Sequence, residues 1–141
     1  MTTRVIVDTC VVSYVMKGAA EAALYEKHLD RRLLSVSFVT VGELYFGAEK
    51  KGWGAKRRAQ LETVLKNHVV IPYDNEIARC FARIAAERER QGRPISWADA
   101  WIAACAVRHE VPLVTHNARD FEGIAGLQVI SERGPTENSQ S

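Results

Sequence analysis

Residues 4–10 read Arg-Val-Ile-Val-Asp-Thr-Cys, a short apolar run that ends in an acidic and a hydroxyl residue. Three consecutive β-branched residues in so short a run indicate a strand buried on both faces, as in parallel sheets. The residues from Asp8 onward open a helical segment. A buried strand that runs directly into a helix is typical of an α/β fold, and this segment therefore sets the expectation for the rest of the chain.

The remainder of the chain repeats this alternation. Further strands are predicted at residues 33–39, 68–73, 112–115 and 128–131. Helices are predicted at residues 19–29, 40–52, 56–66 and 75–90, and from Ser96 through Cys105. Alternating strands and helices predict an α/β sandwich around a mostly parallel sheet, with a ligand site beyond the carboxyl ends of the strands.

The composition is that of one globular domain. Of the 141 residues 47% are hydrophobic and 26% are charged, which excludes a fibrous or largely disordered chain. Residues 1–133 are predicted to form one domain and residues 134–141, which lack apolar anchors, a disordered polar tail. The formal net charge of +2 neither requires nor excludes a polyanionic partner.

The sequence shows neither a signal-peptide pattern nor a membrane-spanning segment. The apolar run Val5-Ile6-Val7 is too short for a signal-peptide core, and no stretch approaches the roughly 18 apolar residues of a membrane span. A cytoplasmic location is therefore expected. Cys10, Cys80 and Cys105 are odd in number and widely spaced, which favours buried thiols over disulfides or a zinc site.

Three acidic residues lie at or just past the ends of predicted strands. Asp8 ends the first strand, Glu43 follows the second, and Asp120 follows the fourth. The carboxyl ends of parallel strands meet at one edge of a sheet, so these three side chains are expected at the same edge. Asp99 lies at the start of a helix and follows no strand, so this argument does not place it with them.

Each of these acids also has a structural explanation. Residues 40–43 and 96–99 fit the capping-box pattern, and residues 117–120 are a looser version of it. A carboxylate in the first turn of a helix gains about 0.3–1 kcal/mol from the helix dipole. Helix capping is thus the commoner explanation for any one of these residues taken alone.

As a group, the acids predict a metal site. Like charges within about 5 Å of each other cost about 3 kcal/mol per pair at an effective dielectric of 20. Either some carboxylates stay protonated or a cation binds, and all-oxygen ligation favours Mg²⁺ or Mn²⁺ over zinc. Such an ion suits phosphodiester hydrolysis by an activated water, with Glu43 or Asp120 a better proton acceptor than Asp8.

Four segments have a spacing that is jointly specific, although each alone is a weak signal. They are Val7-Asp8-Thr9, Val41-Gly42-Glu43-Leu44, residues 96–104 and residues 113–121. Together they resemble the PIN-domain ribonucleases of the VapC toxin family, and the match extends over residues 4–130.

The resemblance implies a three-layer α/β/α sandwich with a central, mostly parallel five-stranded sheet. It also implies that the chain is the toxin of a type II toxin–antitoxin system. The implied activity is that of an endoribonuclease that depends on Mg²⁺, for which Mn²⁺ can substitute. The implied partners are substrate RNA, a second copy of the chain in a homodimer, and a cognate antitoxin that inserts into the acidic site. By position, Asp8 and Asp99 match the metal-binding acids, and Glu43 matches the third carboxylate of the metal set.

The fourth acidic position of the family falls within residues 115–120. Some members carry an acid where this chain has Asn117, and others use the position of Asp120. The candidate catalytic residues are therefore Asp8, Glu43, Asp99 and Asp120, with Thr115 and Asn117 as supporting residues. Whether one or two metal ions bind stays open, since an amide at position 117 is a weaker ligand.

Two basic stretches are candidates for contacts with RNA phosphates. The second, around Arg88 and Arg90, alternates with Glu87 and Glu89 and is better explained as a solvated helix surface. The first surrounds Trp53 and is the stronger candidate. It comprises Lys50, Lys51, Lys56, Arg57 and Arg58.

Three further side chains have structural interpretations. Trp97 and Trp101 lie four residues apart on one helix face, which predicts packing in the core or in a dimer interface rather than base stacking. His116 lies beside an acidic segment and is predicted to be a solvated loop residue.

Two other functional classes share features with this sequence. A receiver-type Mg²⁺-binding signalling domain shares the α/β pattern, but Asp8 has no adjacent acid and no lysine follows Lys66. A catalytically silent PIN-like interaction module would use the acidic pocket to receive a partner's Arg or Lys. RNA cleavage with and without EDTA separates these alternatives.

Overall fold

The computed structural model describes residues 3–133, which form a five-stranded parallel sheet flanked by helices. The strands are β1 (Arg4–Val7), β2 (Leu33–Ser37), β3 (Val69–Ile71), β4 (Leu113–Val114) and β5 (Val129–Ile130), in the order β3-β2-β1-β4-β5. All four pairings are parallel, so the predicted sheet is confirmed. The predicted tail at residues 134–141 lies outside the described residues.

Six α-helices and one short 3₁₀ helix connect the strands. They are α1 (Thr9–Lys17), α2 (Ala20–Leu29), α3 (Phe38–Lys51), α4 (Ala55–Lys66), α5 (Asn75–Arg90), α6 (Trp97–His109) and the 3₁₀ helix Ala118–Phe121. Within this part of the chain, no helix combines the length and apolar composition that a membrane crossing requires.

The sheet separates two hydrophobic cores, as a three-layer sandwich requires. Along β1, Ile6 packs in one core, whereas Val5 and Val7 pack in the other, because successive side chains of a strand point to opposite faces. Strand β4 divides in the same way between Leu113 and Val114. The three-layer α/β/α architecture is therefore confirmed.

The sheet order places the ends of β1 and β4 side by side. The chain adds β2 and β3 on one side of β1 and returns to add β4 and β5 on the other. The backbone N–H of Asp8 donates to the carbonyl of Val114 at 2.9 Å. Asp8 thus lies at the position where the strand order reverses, which is where α/β sheets bind their ligands.

Helix α3 begins earlier than the sequence pattern predicts. Ser37 ends β2 and caps α3, its hydroxyl accepting the Val39 N–H at 3.0 Å. Thr40 is therefore inside the helix and buried, and the capping box predicted at residues 40–43 is wrong. Asn117 likewise makes no side-chain cap bond to the 3₁₀ helix that follows it. By contrast, Ser96 caps α6 as predicted, accepting the Asp99 N–H at 3.2 Å.

The aromatic pair on α6 divides between interior and surface. Trp101 stacks on Phe81 with ring centroids 4.1 Å apart and meets the edges of Phe38 and Tyr73. Trp97 contacts Phe81 edge-on but keeps 73% of its surface exposed. Packing within the chain is therefore confirmed for Trp101, whereas core placement is wrong for Trp97.

Arg88 is a structural residue that the sequence pattern did not reveal. It is 5% exposed rather than solvated. Its guanidinium donates to three backbone carbonyls, those of Arg93 (2.7 Å), Asp120 (2.9 Å) and Glu122 (3.1 Å). The side chain thus ties α5 to the segment that carries Asp120. The predicted role on the helix surface is wrong for Arg88. Two of its three partners lie more than 30 residues away in sequence, so the local pattern does not reveal them.

Replacing Arg88 with Ala is expected to lower the free energy of unfolding by about 3 kcal/mol, because three carbonyls lose a charged donor and a buried side chain is removed. Urea denaturation measures this change. Arg90→Ala is the matched control on the same helix, since Arg90 pairs with Glu87 on the exposed surface and its loss should cost less than about 1 kcal/mol. Equal stability of the two variants would contradict this assignment.

Candidate active site

Asp8 is a buried carboxylate at the end of β1, with 5% of its surface exposed. Its extended backbone makes it the N-cap of α1, and Oδ1 accepts the Thr9 N–H at 2.8 Å. Oδ2 accepts the Thr115 hydroxyl at 2.6 Å and the Cys10 thiol at 3.4 Å. Three donors from two segments therefore fix the orientation of this carboxylate.

Thr115 links Asp8 to the segment that follows β4. Its buried hydroxyl donates to Asp8 and accepts the Asn117 N–H at 3.0 Å. The backbone N–H of Asn117 occupies an acceptor position of this hydroxyl, and the single hydroxyl proton therefore points toward Asp8. The supporting residues Thr115 and Asn117 thus contact the site through a hydroxyl and a backbone N–H, and Asn117 is half-buried beside them.

Glu43 reaches the site from α3 through Thr9. The Thr9 hydroxyl donates to Glu43 Oε1 at 2.6 Å, and the oxygen of buried Thr40 lies 2.9 Å from the same hydroxyl. Thr40 therefore positions Thr9 instead of capping the helix. Glu43 is exposed, so solvent reaches its carboxylate. One carboxylate oxygen is held by Thr9, the residue that follows Asp8.

Asp99 enters the group from the first turn of α6. Burial raises the pKa of Asp99 to about 6, and the negative charge of Asp8 is the next cause, followed in the same direction by Asp120 and Glu43. The charge of Asp120 also raises the pKa of Asp8, although burial is the main cause there. The fold therefore brings the four carboxylates into one electrostatic group, including Asp99, which strand position alone did not place.

Asp120 lies on the exposed surface of the 3₁₀ helix. Its backbone carbonyl is held by Arg88, and its backbone N–H donates to the Asn117 carbonyl at 2.9 Å. The side chain is free to face solvent, while the backbone that carries it is anchored in the interior.

These four carboxylates form no ion pair within the described residues, although the charge of Arg88 acts on Asp120 and Asp99. Among residues 3–133, none of the ion pairs includes Asp8, Glu43, Asp99 or Asp120. In the same residues, no three Asp, Glu, His or Cys side chains are arranged as a metal site. Asp8 is nevertheless buried and Asp99 half-buried, neither with an ion-pair partner in this part of the chain, and an all-oxygen donor set of this kind fits a hard divalent cation.

Cys10 and His116 complete the surroundings of Asp8. Burial and the Asp8 charge raise the pKa of the Cys10 thiol to about 12, so it stays protonated and acts as a donor. Cys10 and Cys80 are half-buried, and Cys105 alone of the three thiols is fully buried. The prediction of a solvated His116 is wrong, since its Nδ1 lies 2.6 Å from the hydroxyl of buried Tyr25.

The basic residues around Trp53 differ in what they contact. Lys51 and Arg57 lie over the Trp53 ring, 5.9 and 5.7 Å from its centroid. Arg58 is engaged within the chain, donating to Glu49 at 2.6 Å and to the Trp53 carbonyl at 2.8 Å. Lys50 lies over the Phe46 ring at 6.0 Å, and Lys56 is exposed.

The raised pKa of Asp99 predicts a stabilising substitution. In metal-free protein the folded state keeps the Asp99 proton up to a pH of about 6, whereas in the unfolded state the pKa of Asp99 is near its ordinary value of 3.8. Unfolding therefore releases a proton in this window, and stability falls as the pH rises through it. Asp99→Asn removes the penalty and should raise the free energy of unfolding above the window by about 1 kcal/mol after allowance for solvent screening.

Urea denaturation in EDTA tests this expectation, with the gain present at about pH 7 and absent at about pH 3, where both states are protonated. A variant that is less stable than the wild type at neutral pH would show that Asp99 is not electrostatically penalised.

Comparisons with known proteins identify the family and agree with the fold. Residues 5–127 match the PIN domain family model. The chain is 34% identical to Ribonuclease VapC2 of Haemophilus influenzae, over 89% of this chain and 95% of that protein. It is 31% identical, with the same coverage, to the tRNA(fMet)-specific endonuclease VapC of Shigella flexneri. The structure of DNA-bound VapBC from Salmonella typhimurium is similar at a TM-score of 0.80 and 28% identity, covering 93% of this chain and 98% of that one.

Proposed function

The chain belongs to the VapC ribonucleases of the PIN domain family, and from this premise we propose that it is a Mg²⁺-dependent endoribonuclease, the toxin of a type II toxin–antitoxin pair. The observation that supports the proposal most strongly is the group of four carboxylates that form no ion pair among residues 3–133, two of which have raised pKa values. Such a group is costly for folding, and a cost of this kind is typical of a functional site.

Asp8, Asp99 and Glu43 are the proposed metal-binding residues, and Mn²⁺ is expected to replace Mg²⁺. When bound, the ion supplies a water of lowered pKa and stabilises charge on the phosphodiester oxygens. Asp8 is suited to its role because Thr9, Cys10 and Thr115 donors leave it a single orientation. A metal-binding side chain that is already fixed in place loses less conformational entropy when the ion binds.

The proton acceptor is proposed to be Glu43 or Asp120. Both are exposed, unlike Asp8, so either can take a proton from the attacking water and release it to solvent. On Glu43, Oε1 is occupied by the Thr9 hydroxyl, which leaves Oε2 as the accepting atom. On Asp120, the anchored backbone limits where the carboxylate can reach.

The nature of the cleaved ends tests the proposed reaction. Attack by water predicts 5′-phosphate and 3′-hydroxyl ends, because the ribose 2′-hydroxyl takes no part. Sequencing the ends of total RNA after brief expression reports both the chemistry and the target. The Shigella flexneri relative is named for tRNA(fMet), so tRNA is the first RNA to examine. Cyclic 2′,3′-phosphate ends would contradict the proposed mechanism.

An antitoxin is the proposed protein partner. The similar structures include VapBC complexes from Salmonella typhimurium and Haemophilus influenzae. The four carboxylates of the site favour a partner that brings Arg or Lys, since a guanidinium pairs well with carboxylates. A homodimer is also proposed, and the exposed Trp97 is available to an interface of this kind.

One observation favours the catalytically silent interaction module as a second candidate. No three potential ligands among residues 3–133 are already arranged around a common ion position, so the site must adjust to bind one. Wild-type protein that cleaves no RNA in Mg²⁺ or Mn²⁺, from a pool that includes tRNA, would support this candidate. Cleavage that EDTA abolishes would exclude it. Family membership leaves the receiver-type alternative without support.

A further inference from the structure

A basic cleft extends from the acidic site along helices α1, α3 and α4. One part of the cleft is lined by Thr9 and Glu43 together with Lys17, Lys51 and Trp53. The other part shares the last three residues and adds Arg57 and Gln60. The shared residues make the two parts continuous, so a path leads from the Thr9–Glu43 hydrogen bond to Arg57.

We propose that the basic cleft, defined by Lys17, Lys51 and Arg57, is a phosphate-binding subsite that holds the RNA backbone on one side of the acidic site. The inference rests on the proposed function for the identity of the ligand. It adds Lys17, which lies far from the other basic residues in sequence, and it assigns the role to Lys51 and Arg57 rather than to the whole basic stretch around Trp53.

The three cations lack acidic partners. Among residues 3–133, none of the ion pairs includes Lys17, Lys51 or Arg57, whereas Arg58 pairs with Glu49. The Lys17 charge and, more weakly, the Arg57 charge hold the pKa of Lys51 below its usual value. An anion between these side chains would relieve the repulsion.

Trp53 supports two of the cations without neutralising them. Lys51 and Arg57 lie over its ring, and an aromatic face attracts cations but carries no net charge. The Trp53 Nε1 is also buried and, among the described residues, has no hydrogen-bond acceptor. A donor this deeply buried is out of reach of a group in the cleft, so Trp53 contributes its ring face and not its N–H.

Helix electrostatics do not explain all three positions. Lys17 and Lys51 lie in the last turns of α1 and α3, where a cation is favoured by the helix dipole. Arg57 lies in the first turn of α4, where a cation is disfavoured. Its position beside the two lysines therefore points to a ligand rather than to helix stability.

RNA is the occupant that the surroundings favour. The acidic site repels phosphates, so a substrate that must approach it needs a cationic anchor close by. The cleft provides this anchor within one continuous surface that begins at Glu43. An acidic protein segment would match the same charges but would gain nothing from contact with the carboxylates at the end of the cleft.

The test measures binding of a labelled single-stranded oligoribonucleotide to the full chain in EDTA, so that cleavage does not interfere. Lys17→Gln, Lys51→Gln and Arg57→Gln should each weaken binding about fivefold and reduce the slope of log K against log salt by about 0.7. Lys66→Gln is the matched control, because Lys66 is exposed on the same helix as Arg57 but does not line the cleft, and its effect should stay within about twofold. Thermal melting confirms that the surface variants remain folded.

The outcomes separate this inference from the proposed function. Cleft variants that bind RNA like the wild type, while the wild type cleaves RNA, would overturn the subsite and leave the function intact. An equal loss in Lys66→Gln would also overturn it, since a general charge effect would then explain the data. If the wild type cleaves no RNA but the cleft variants alone lose RNA binding, the result would support the subsite and contradict the proposed nuclease activity. If a poly-glutamate chain of matched charge binds as tightly as RNA, the cleft is a protein-docking site and the assignment fails.

Discussion

Asp8→Asn is expected to lower the rate of RNA cleavage about 1,000-fold. A bound metal contributes several kcal/mol of charge stabilisation in the transition state, and each 1.36 kcal/mol corresponds to a tenfold change in rate. Asp8 is the proposed ligand that the fold holds most firmly, with donors from Thr9, Cys10 and Thr115. An amide at this position lacks the charge that attracts the ion. Cleavage of a tRNA or total RNA substrate in Mg²⁺ measures the effect.

The fold should survive this substitution. Asn is as good an N-cap as Asp, so α1 keeps its first hydrogen bond, and the burial penalty that raises the pKa of Asp8 disappears. Asp74→Asn is the matched control, because Asp74 is also a helix N-cap, that of α5, where it accepts the Ile77 N–H at 2.8 Å. Its cleavage rate should equal that of the wild type. Full activity in folded Asp8→Asn protein would remove the basis of the proposed mechanism.

Mg²⁺ is expected to raise the thermal stability of the wild type. A ligand at 100 times its Kd adds about 2.7 kcal/mol, which corresponds to a rise in Tm of roughly 8 °C for a domain of this size. The rise occurs because the ion compensates carboxylates that burial and mutual repulsion penalise, as the pKa of Asp99, raised to about 6, indicates. EDTA should reverse the shift and abolish RNA cleavage together.

Asp99→Asn should lose the Mg²⁺ response while gaining stability in EDTA. Glu49→Gln is the matched control, since Glu49 lies on α3 with Glu43 but pairs with Arg58 instead of joining the acidic group. It should keep the whole Mg²⁺-dependent rise in Tm. The same rise in Asp99→Asn would show that Mg²⁺ acts elsewhere on the surface.

Local sequence patterns predict a residue's role correctly when its partners are near in sequence. They fail when the partners are far away in sequence. Ser96 caps α6 as predicted because the cap is a bond between residues three apart. Arg88 and His116 were predicted to be solvated and are not, because their partners are Asp120 and Tyr25. A carbonyl 32 residues away or a hydroxyl 91 residues away leaves no trace in the neighbouring sequence.

The amino-acid sequence was sufficient to determine the α/β class, the parallel strands and the acids at the strand ends. These depend on periodicity, burial and the rule that parallel strands end at one edge. Only the tertiary structure brought Asp99 into the acidic group, joined Thr115 to Asp8 across 107 residues, and set Lys17 beside Lys51. The physical reason is that electrostatic coupling and hydrogen bonding depend on separation in space, which packing of the whole chain decides.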